Sequence, residues 1–334
     1  MSFKWHGRTV ARGTKAYFAV PVCTMASGYE MTLPVHVLVG QRSGPTVMIA
    51  TTSHGDQIWE SEFCRRYHDK LMADGLNFNG VLVLCPLLNP IAFESGTRNS
   101  WLDMHNLNRT FPGSEAGKNW FTDALAGVIM REIVAHVDAV IDYHGGSSNT
   151  VIRYTYTPSP NGSAADRFVY EMAKATGAEV IWEHPQPPGS LSGACAAIGK
   201  PAVLFEVGGG SVIEDETEFD VAMESTDNVL RLLKVLDGEP TKGQTRIVVR
   251  KGVLLRPRHG GMFHPTIGAK ALGKTLAQGE ILGRVYSPHT FDVLDEMVAP
   301  YPRTEVMQVR TRICRIHPGS YAYILGDGDS GYAP

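Results

Sequence analysis

The sequence contains few cysteines, and no two of them form a recognisable motif. They are five in number, lie far apart and include no CxxC pair: Cys23, Cys64, Cys85, Cys195 and Cys314. A free cysteine behaves as a small hydrophobic residue, and Cys85 lies within the apolar run VLVLCPLL. We therefore expect buried thiols, with no disulfide and no cysteine-bound metal.

Long apolar segments and an excess of basic residues are also lacking. No segment has the roughly 18 apolar residues that a membrane-spanning helix needs, and the N-terminus MSFKWHGRTVARG has no signal-peptide core. The 31 Lys and Arg residues are outnumbered by 34 Asp and Glu, which gives a net charge of -3 and no basic face for nucleic acid. These absences predict a cytoplasmic protein whose partners are small molecules rather than membranes or nucleic acids.

What the sequence does contain is an alternation of strand-like and helix-like segments. Apolar runs typical of buried strands are MTLPVHVLV, PTVMIATT, VLVLCPLL, VDAVIDYH, EVIWEH and PAVLFEV. Helical stretches lie between them, near residues 59–74, 118–136, 164–177 and 217–237. Alternation of this kind predicts an α/β fold, with a mixed and mostly parallel sheet flanked by helices.

The segment DGEPTKGQT, residues 237–245, interrupts this alternation with Gly, Pro and charged residues. Beyond it, short strand-like pieces are separated by turns, which predicts a small all-β barrel or sandwich. A chain of 334 residues exceeds the usual size of one hydrophobic core. We therefore predict a catalytic α/β domain over residues 1–240 and a smaller β-domain over residues 241–334, with which the N-terminal ~30 residues are able to pack.

Three of the predicted strands end in residues that can bind a metal or move a proton. MIATTSHGD ends just after His54, VIDYHGG contains His144, and VLFEVGGG contains Glu206. The carboxyl ends of strands line the ligand crevice in open α/β sheets, and a glycine after each histidine permits a sharp turn and a close approach to a ligand. Two imidazoles, an open coordination position and a carboxylate base suit a catalytic zinc ion. Alternatively, each histidine only hydrogen-bonds its own loop.

A long polar loop over residues 89–113 lies between these strands. Loops longer than about 12 residues inside a compact domain are usually functional or disordered. Arg109 with its neighbour Asn108 suits the capture of a carboxylate, and Arg98 suits a carbonyl oxygen or a second anion. Alternatively, the arginines hold the loop in place through salt bridges.

Five motifs, taken in order, resemble the succinylglutamate desuccinylase and aspartoacylase family, whose members are related to the zinc carboxypeptidases. They are SHGD, NPxAxxxGTR, NLNRTFPG, DYHGG and FEVGGG. The resemblance extends over essentially the whole chain. It implies a zinc carboxypeptidase-like catalytic domain that is followed by a C-terminal β-domain.

The resemblance also implies catalytic and substrate-binding roles for four residues. Glu206 matches the general base that activates the metal-bound water and later protonates the leaving amine. Arg98 matches the arginine that polarises the scissile carbonyl. Asn108 and Arg109 match the pair that binds the α-carboxylate of the substrate.

A zinc ion held by His54 and His144 is implied as well, but the third ligand departs from the family pattern. The family has HGxE, whereas this sequence has HGDQ, so that Gln57 occupies the ligand position. A neutral amide is a poorer partner for zinc than a carboxylate. We predict that Gln57 binds zinc through its carbonyl oxygen. The alternatives are loss of the metal, or a nearby acid as the third ligand, for which the candidates are Asp56, Glu60 and Glu62.

These inferences predict a zinc-dependent amidohydrolase that removes an acyl group from an N-acyl amino acid. The resemblance offers N-acetylaspartate, N-succinylglutamate and acetylated diamino acids as substrates, with a slight preference for the last. Two rival functions are a carboxypeptidase that acts on short peptides, and a metal-poor protein that binds carboxylates without hydrolysis. Whether the chain forms a homo-oligomer stays open.

Overall fold

The computed structural model describes residues 2–209, 216–241 and 245–334, in which strands and helices alternate over the first two thirds. The helices are α1 (Ile58–Ala73), α2 (Pro90–Ser95), α3 (Phe121–Val128), α4 (Ala164–Ala175), α5 (Leu191–Ala197) and α6 (Thr217–Leu232). The strands are β1 (Phe3–Trp5), β2 (Arg8–Val10), β3 (Lys15–Thr24), β4 (Glu30–Val39), β5 (Arg42–Ala50), β6 (Asn79–Cys85), β7 (Ala139–Gly146), β8 (Thr150–Thr157), β9 (Val180–Glu183), β10 (Ala202–Gly209), β11 (Ile247–Val249), β12 (Gly252–Leu255), β13 (Gly261–Pro265), β14 (Thr275–Ala277), β15 (Ile281–Tyr286), β16 (Val293–Val298), β17 (Arg303–Arg310), β18 (Cys314–Ile316) and β19 (Tyr323–Asp327).

A mixed sheet of 13 strands forms the centre of the part of the chain that the structure describes. Its main path runs β12-β19-β17-β8-β10-β7-β5-β6-β4-β3, while β9, β11 and β14 pair beside this path. The middle strands β10, β7, β5 and β6 are parallel to one another, and the pairs toward both ends of the path are antiparallel. The predicted α/β fold with a mixed sheet is thus confirmed.

The two faces of the sheet bury separate hydrophobic clusters. On β5, Val47 and Ile49 belong to one cluster, whereas the alternating Met48 and Ala50 belong to the other, as expected for a strand covered on both sides. Residues of α1, α4 and α6 contribute to the first cluster, and residues of α3 and α5 to the second. No helix in the described ranges has both the length and the apolarity needed to cross a bilayer.

The strands beyond residue 241 continue the central sheet and also form a second one. Antiparallel pairing joins β17 to β8, and parallel pairing joins β11 to β9. A separate antiparallel sheet, in the order β16-β15-β13-β18, completes the predicted all-β region. Residues 242–244, within the predicted boundary segment, lie outside the described residues.

Strand β3 lies at the opposite end of the sheet path from β12, whereas β1 and β2 form a separate two-stranded sheet. Strand β3 pairs with β4, and the indole nitrogen of Trp5 donates a hydrogen bond to the Glu132 carbonyl oxygen. Strand β3 also packs against α3. Of the free cysteines, Cys23 and Cys314 are partly exposed, and the other three are buried.

Candidate active site

Residues from three neighbouring strands meet in one cleft. His54 follows β5, His144 lies near the end of β7, and Glu206 lies directly opposite His144 on β10. The two imidazole rings are buried with their centres 5.3 Å apart, and Glu206 is partly open to the cleft. The structure places the remaining predicted site residues in the same cleft: Gln57, Arg98, Asn108 and Arg109.

The loop that presents His54 is held tightly by its neighbours. Thr52 has a positive φ of 57°, and its N–H donates to the carboxyl group of Glu60 on α1. A Cβ on Gly55 would lie 1.9 Å from the Ala92 carbonyl carbon of α2. Glycine is therefore needed here because the backbone of α2 packs closely against it, whereas the sequence suggested that it allows a ligand to approach the backbone. A Cβ on Gly145, by contrast, would meet its nearest neighbour at 3.4 Å, an ordinary contact distance.

His144 is supported by a buried acid that the sequence argument did not single out. The carboxylate of Asp142 lies 3.4 Å from His144 Nε2, and Asp142 is fully buried on the same strand. Burial alone would lower the pKa of His144, but Asp142, together with Glu206 and Glu60, raises it to about 9. The D-x-H spacing contains this signal, because residues two apart on a strand point to the same face. A carboxylate behind a histidine is also a common support for metal ligands.

His54 has the opposite electrostatic environment. Burial lowers the pKa of His54 well below its usual range, and the nearby positive charges of Arg98 and His144 lower it further. Its Nδ1 atom is buried and has no hydrogen-bond partner among the described residues. His54 is therefore a neutral imidazole with a free nitrogen, which is the form that binds a metal ion.

Gln57 is oriented by a hydrogen bond to the loop that follows β7. Its Nε2 donates to the Gly145 carbonyl oxygen, which leaves Oε1 buried without a partner in the described ranges. A glutamate at this position would bring a carboxylate oxygen against the Gly145 carbonyl, where two acceptors repel each other. The local structure thus suits an amide whose oxygen is directed away from Gly145.

The acids proposed as alternative ligands have other neighbours. Glu62 forms ion pairs with Arg65 and Arg66 on the surface of α1. Glu60 accepts the Thr52 hydrogen bond through Oε2, while its buried Oε1 has no hydrogen-bond partner among the described residues. Burial raises the pKa of Asp56, and the charge of Arg98 acts against this effect. Within the described residues, no three His, Cys, Asp or Glu side chains form a cluster that could hold a metal ion. A metal site here thus depends on Gln57.

Glu206 is the acid that faces the cleft between the histidines and the arginines. Its enclosed position raises the pKa of Glu206 above the usual range, and the charge of Asp142 adds to this effect. The positive charges of His144, Arg98 and Arg109 act in the opposite direction. A carboxyl group with a raised pKa is a stronger base than an ordinary carboxylate, which suits a group that accepts a proton and later returns it.

The long loop over residues 89–113 places two arginines and one asparagine in the cleft. No salt bridge joins Arg98 or Arg109 to an acid in the part of the chain that the structure describes, although Arg109 Nη1 donates to the Asn108 carbonyl oxygen at 2.6 Å. Asn108, in contrast, is engaged on both sides: its Oδ1 accepts from the Leu191 N–H at 2.9 Å, and its Nδ2 lies 3.1 Å from His144 Nε2. Asn108 therefore lies against His144 as well as lining the cleft.

The remaining wall of the cleft was not identified from the sequence. It consists of residues from β8, β10, the C-terminal strands and the segment before β19, among them Ile152, Tyr154, Tyr156, Leu204, Leu254, Gln308, Tyr321 and Ile324. No local motif reveals these residues, because they meet only through the pairing of strands that are about 150 residues apart. Tyr154 lines the cleft, while its neighbour Arg153 forms ion pairs with Glu179 and Glu218 on the other side of the strand.

Comparison with known proteins identifies a matching family profile and a related deacetylase. The profile described as the succinylglutamate desuccinylase/aspartoacylase catalytic domain matches residues 43–233. The chain is also similar to the N-alpha-acetyl-L-2,4-diaminobutyric acid deacetylase of Halomonas elongata, with 26% identity over 277 residues, which are 81% of this chain and 79% of that protein.

Solved structures share the fold along nearly the whole chain. The product-bound ectoine utilization protein EutE (DoeB) of Ruegeria pomeroyi has a TM-score of 0.79 at 23% identity, over 94% of this chain and 95% of that chain. A succinylglutamate desuccinylase of Silicibacter sp. TM1040 has a TM-score of 0.78 at 22% identity, over 94% of each chain. Because the matching catalytic-domain profile covers more than half of the sequence, this chain belongs to the succinylglutamate desuccinylase/aspartoacylase family.

Proposed function

We propose that this chain is a zinc-dependent amidohydrolase that removes an acyl group from an N-acyl amino acid. The observation that carries the proposal is one cleft in which Glu206 faces two arginines without ion-pair partners among the described residues. One cation suits the α-carboxylate of the substrate and the other its scissile carbonyl. The named relatives support this reading, since a deacetylase and a desuccinylase both act on N-acyl amino acids.

The reaction assigns a separate task to each side chain. Arg109, which is exposed at the cleft, binds the α-carboxylate, and Arg98 stabilises the negative charge that develops on the carbonyl oxygen. Glu206 accepts a proton from the attacking water as the new C–O bond forms. It then donates this proton to the nitrogen as the C–N bond breaks, so that a carboxylic acid and a free amine are released.

His54, Gln57 and His144 would hold the zinc ion. Support comes from two buried atoms without hydrogen-bond partners among the described residues, His54 Nδ1 and Gln57 Oε1, and from Asp142 behind His144. Two nitrogen ligands and one amide oxygen give a weaker site than one with a carboxylate. A bound zinc ion would supply a Lewis acid and would make a water molecule acidic near neutral pH.

The proposal is tested by metal analysis and by a substrate panel. We expect protein that is purified without chelators to contain a divalent metal and to hydrolyse N-acyl amino acids faster than dipeptides. Glu206→Gln should lower kcat/KM by about 10²- to 10⁴-fold. The control Glu94→Gln, at an exposed position on α2, should keep the activity. Faster cleavage of dipeptides would replace the proposal with a carboxypeptidase.

A second candidate function is favoured by one observation, the absence of a three-residue metal cluster in the described ranges. In that case the cleft binds carboxylates without hydrolysis. Protein without metal and without turnover, which still binds N-acyl amino acids, would establish this binding function.

A further inference from the structure

A row of side chains crosses four strands beside Glu206. Gln308 of β17 lies directly opposite Ile152 of β8 and, on its other side, opposite Ile324 of β19. Ile324 in turn lies opposite Leu254 of β12. Directly opposed residues in antiparallel strands point to the same face of a sheet, and all four residues line the cleft.

This row adjoins the proposed catalytic residue. Tyr154 is opposite Glu206 in the pairing of β8 with β10, and it is two residues from Ile152 on the same strand. Side chains two apart on a strand share a face. The Gln308 row, consisting of Ile152, Gln308, Ile324 and Leu254, is therefore a floor that extends from Glu206 into the C-terminal strands.

Gln308 is the polar member of this apolar row, and its amide nitrogen lacks an acceptor. The residue is only 4% exposed, and its Nε2 atom is buried without a hydrogen-bond partner among the described residues. A buried donor without an acceptor is unfavourable, and native proteins seldom contain one. A donor that faces a ligand cleft has a natural partner in the ligand.

The Gln308 row adds no charged side chain to the cleft. Among the described residues that line it, the ionisable groups nearest to the reaction are Glu206, the two histidines and the two arginines of the 89–113 loop, whereas the Gln308 row contains none. A charged group placed over that row would lose hydration without gaining a counter-ion from the row itself, which is unfavourable. An uncharged group would not suffer this loss.

We propose that Gln308 is a substrate-binding residue. The substrate then has an uncharged, mainly apolar group that lies on the Gln308 row, and an acceptor atom of this group accepts a hydrogen bond from Gln308 Nε2. The inference rests on the proposed deacylase function and narrows its substrate class. The proposed substrate differs in charge from the compounds after which the relatives are named. A succinyl or glutamate group has an additional carboxylate, and a diaminobutyrate has an additional ammonium group.

Binding of matched ligand pairs tests the inference without turnover. The pairs are N-acetyl-L-glutamine with N-acetyl-L-glutamate, and N-succinamoyl-L-alanine with N-succinyl-L-alanine, and each differs only in the charge at one chain end. Calorimetry is done on the full chain with Glu206→Gln, which prevents hydrolysis. We expect the neutral member of at least one pair to bind at least tenfold more tightly.

Substitution of Gln308 then assigns this preference to its amide. In the Glu206→Gln variant, the additional substitution Gln308→Leu keeps the approximate size of the side chain but removes the donor. It should weaken binding of the preferred neutral ligand about tenfold, as expected for the loss of one hydrogen bond. Adding Gln278→Leu instead, at an exposed position of the same C-terminal region, should have no effect. If the protein with Gln308→Leu does not fold, the comparison of neutral and charged ligands in the protein that keeps Gln308 still tests the proposed substrate class.

The inference is overturned if the charged member binds as well in both pairs, if no ligand binds, or if the two glutamine variants behave alike. The failure of the proposed function has a different signature. In that case the neutral ligands bind, and their binding is weakened by Gln308→Leu, but the chain with Glu206 intact does not hydrolyse them. Hydrolysis of only the charged members would instead support the deacylase function and contradict the substrate class.

Discussion

Gln57 shows how a single side chain can be adapted to its neighbours rather than to its chemical task alone. Its Nε2 donates to the Gly145 carbonyl oxygen, so the buried site is complementary to an amide. We expect Gln57→Glu to lower the free energy of unfolding of metal-free protein by about 1–3 kcal/mol, because a buried hydrogen bond is replaced by two facing acceptors. Urea unfolding in the presence of a chelator measures this change.

Excess zinc should restore the free energy of unfolding of the Gln57→Glu variant. A carboxylate is a better zinc ligand than an amide, and a ligand that binds the native state stabilises that state. Gln41→Glu is the matched control, because Gln41 also donates to a backbone carbonyl, that of Gly75, but at an exposed position. It should change stability by less than about 0.5 kcal/mol, with or without zinc. Metal-free Gln57→Glu protein as stable as the wild type would show that the Gly145 contact does not select the amide.

At this scale, the sequence indicates residues whose chemistry is visible, but not their supports. The convergence of His54, His144 and Glu206 in one cleft was predictable because each follows or ends an apolar strand. The positions of Asp142 and Gln308 were not, because the neighbours of a buried acid or amide depend on which strands pair in the sheet. Gly55 was noticed for the wrong reason, since its small size is required by the backbone of α2.

At the scale of elements, helix α1 contains an ion-pair network that gives a pH-dependent contribution to stability. Hydrogen bonds from Arg65 and Arg66 lower the pKa of Glu62 from 4.5 to about 2. A lowered native-state pKa stabilises the fold above pH 4.5, and the contribution disappears as the pH falls toward 2. We expect Glu62→Gln to cost about 1 kcal/mol at pH 7, because the pairs are partly exposed to solvent.

Urea unfolding of this variant and of the wild type between pH 3 and pH 7 measures the difference, which should shrink steadily as the solution becomes acidic. Glu171→Gln on α4 is the control, because Glu171 has a single partner, Lys174, and is 51% exposed. Its effect should stay below about 0.5 kcal/mol throughout. A Glu62→Gln difference that is the same at both ends of the pH range would exclude the ionic origin.

The long helices and central strands were predictable from the sequence, whereas several shorter or flanking elements were not. Helices α1, α4 and α6 begin within one residue of the predicted starts, since their amphipathic and acidic first turns are strong local signals. Strand β8 was missed, although it forms one wall of the cleft. Its sequence TVIRYTYT mixes polar and apolar residues, because one face meets the cleft and the other includes the Arg153 ion pairs.

At the scale of the molecule, the question is whether residues 241–334 form an independent domain. The sequence predicts a boundary near 240, but β17 pairs with β8 and β11 pairs with β9 across it. One hydrophobic cluster combines Tyr154 and Trp182 with Ile247 and Ile324. Such long-range pairing cannot be deduced from local patterns, because the composition of a linker does not determine which strand the next strand pairs with.

We therefore expect a chain that ends at residue 240 to aggregate or to lack a cooperative unfolding transition. Removal of the C-terminal strands leaves the edges of β8 and β9 unpaired and exposes the buried side chains of Tyr154 and Trp182. Co-expression of residues 1–240 with residues 241–334 is the control, because it removes the linkage but no contact, and the two pieces should copurify as a folded complex. A soluble, monomeric 1–240 fragment that unfolds cooperatively would contradict this expectation and establish two independent domains. The Gln308 row, which lies across the boundary, would then form only when those domains dock.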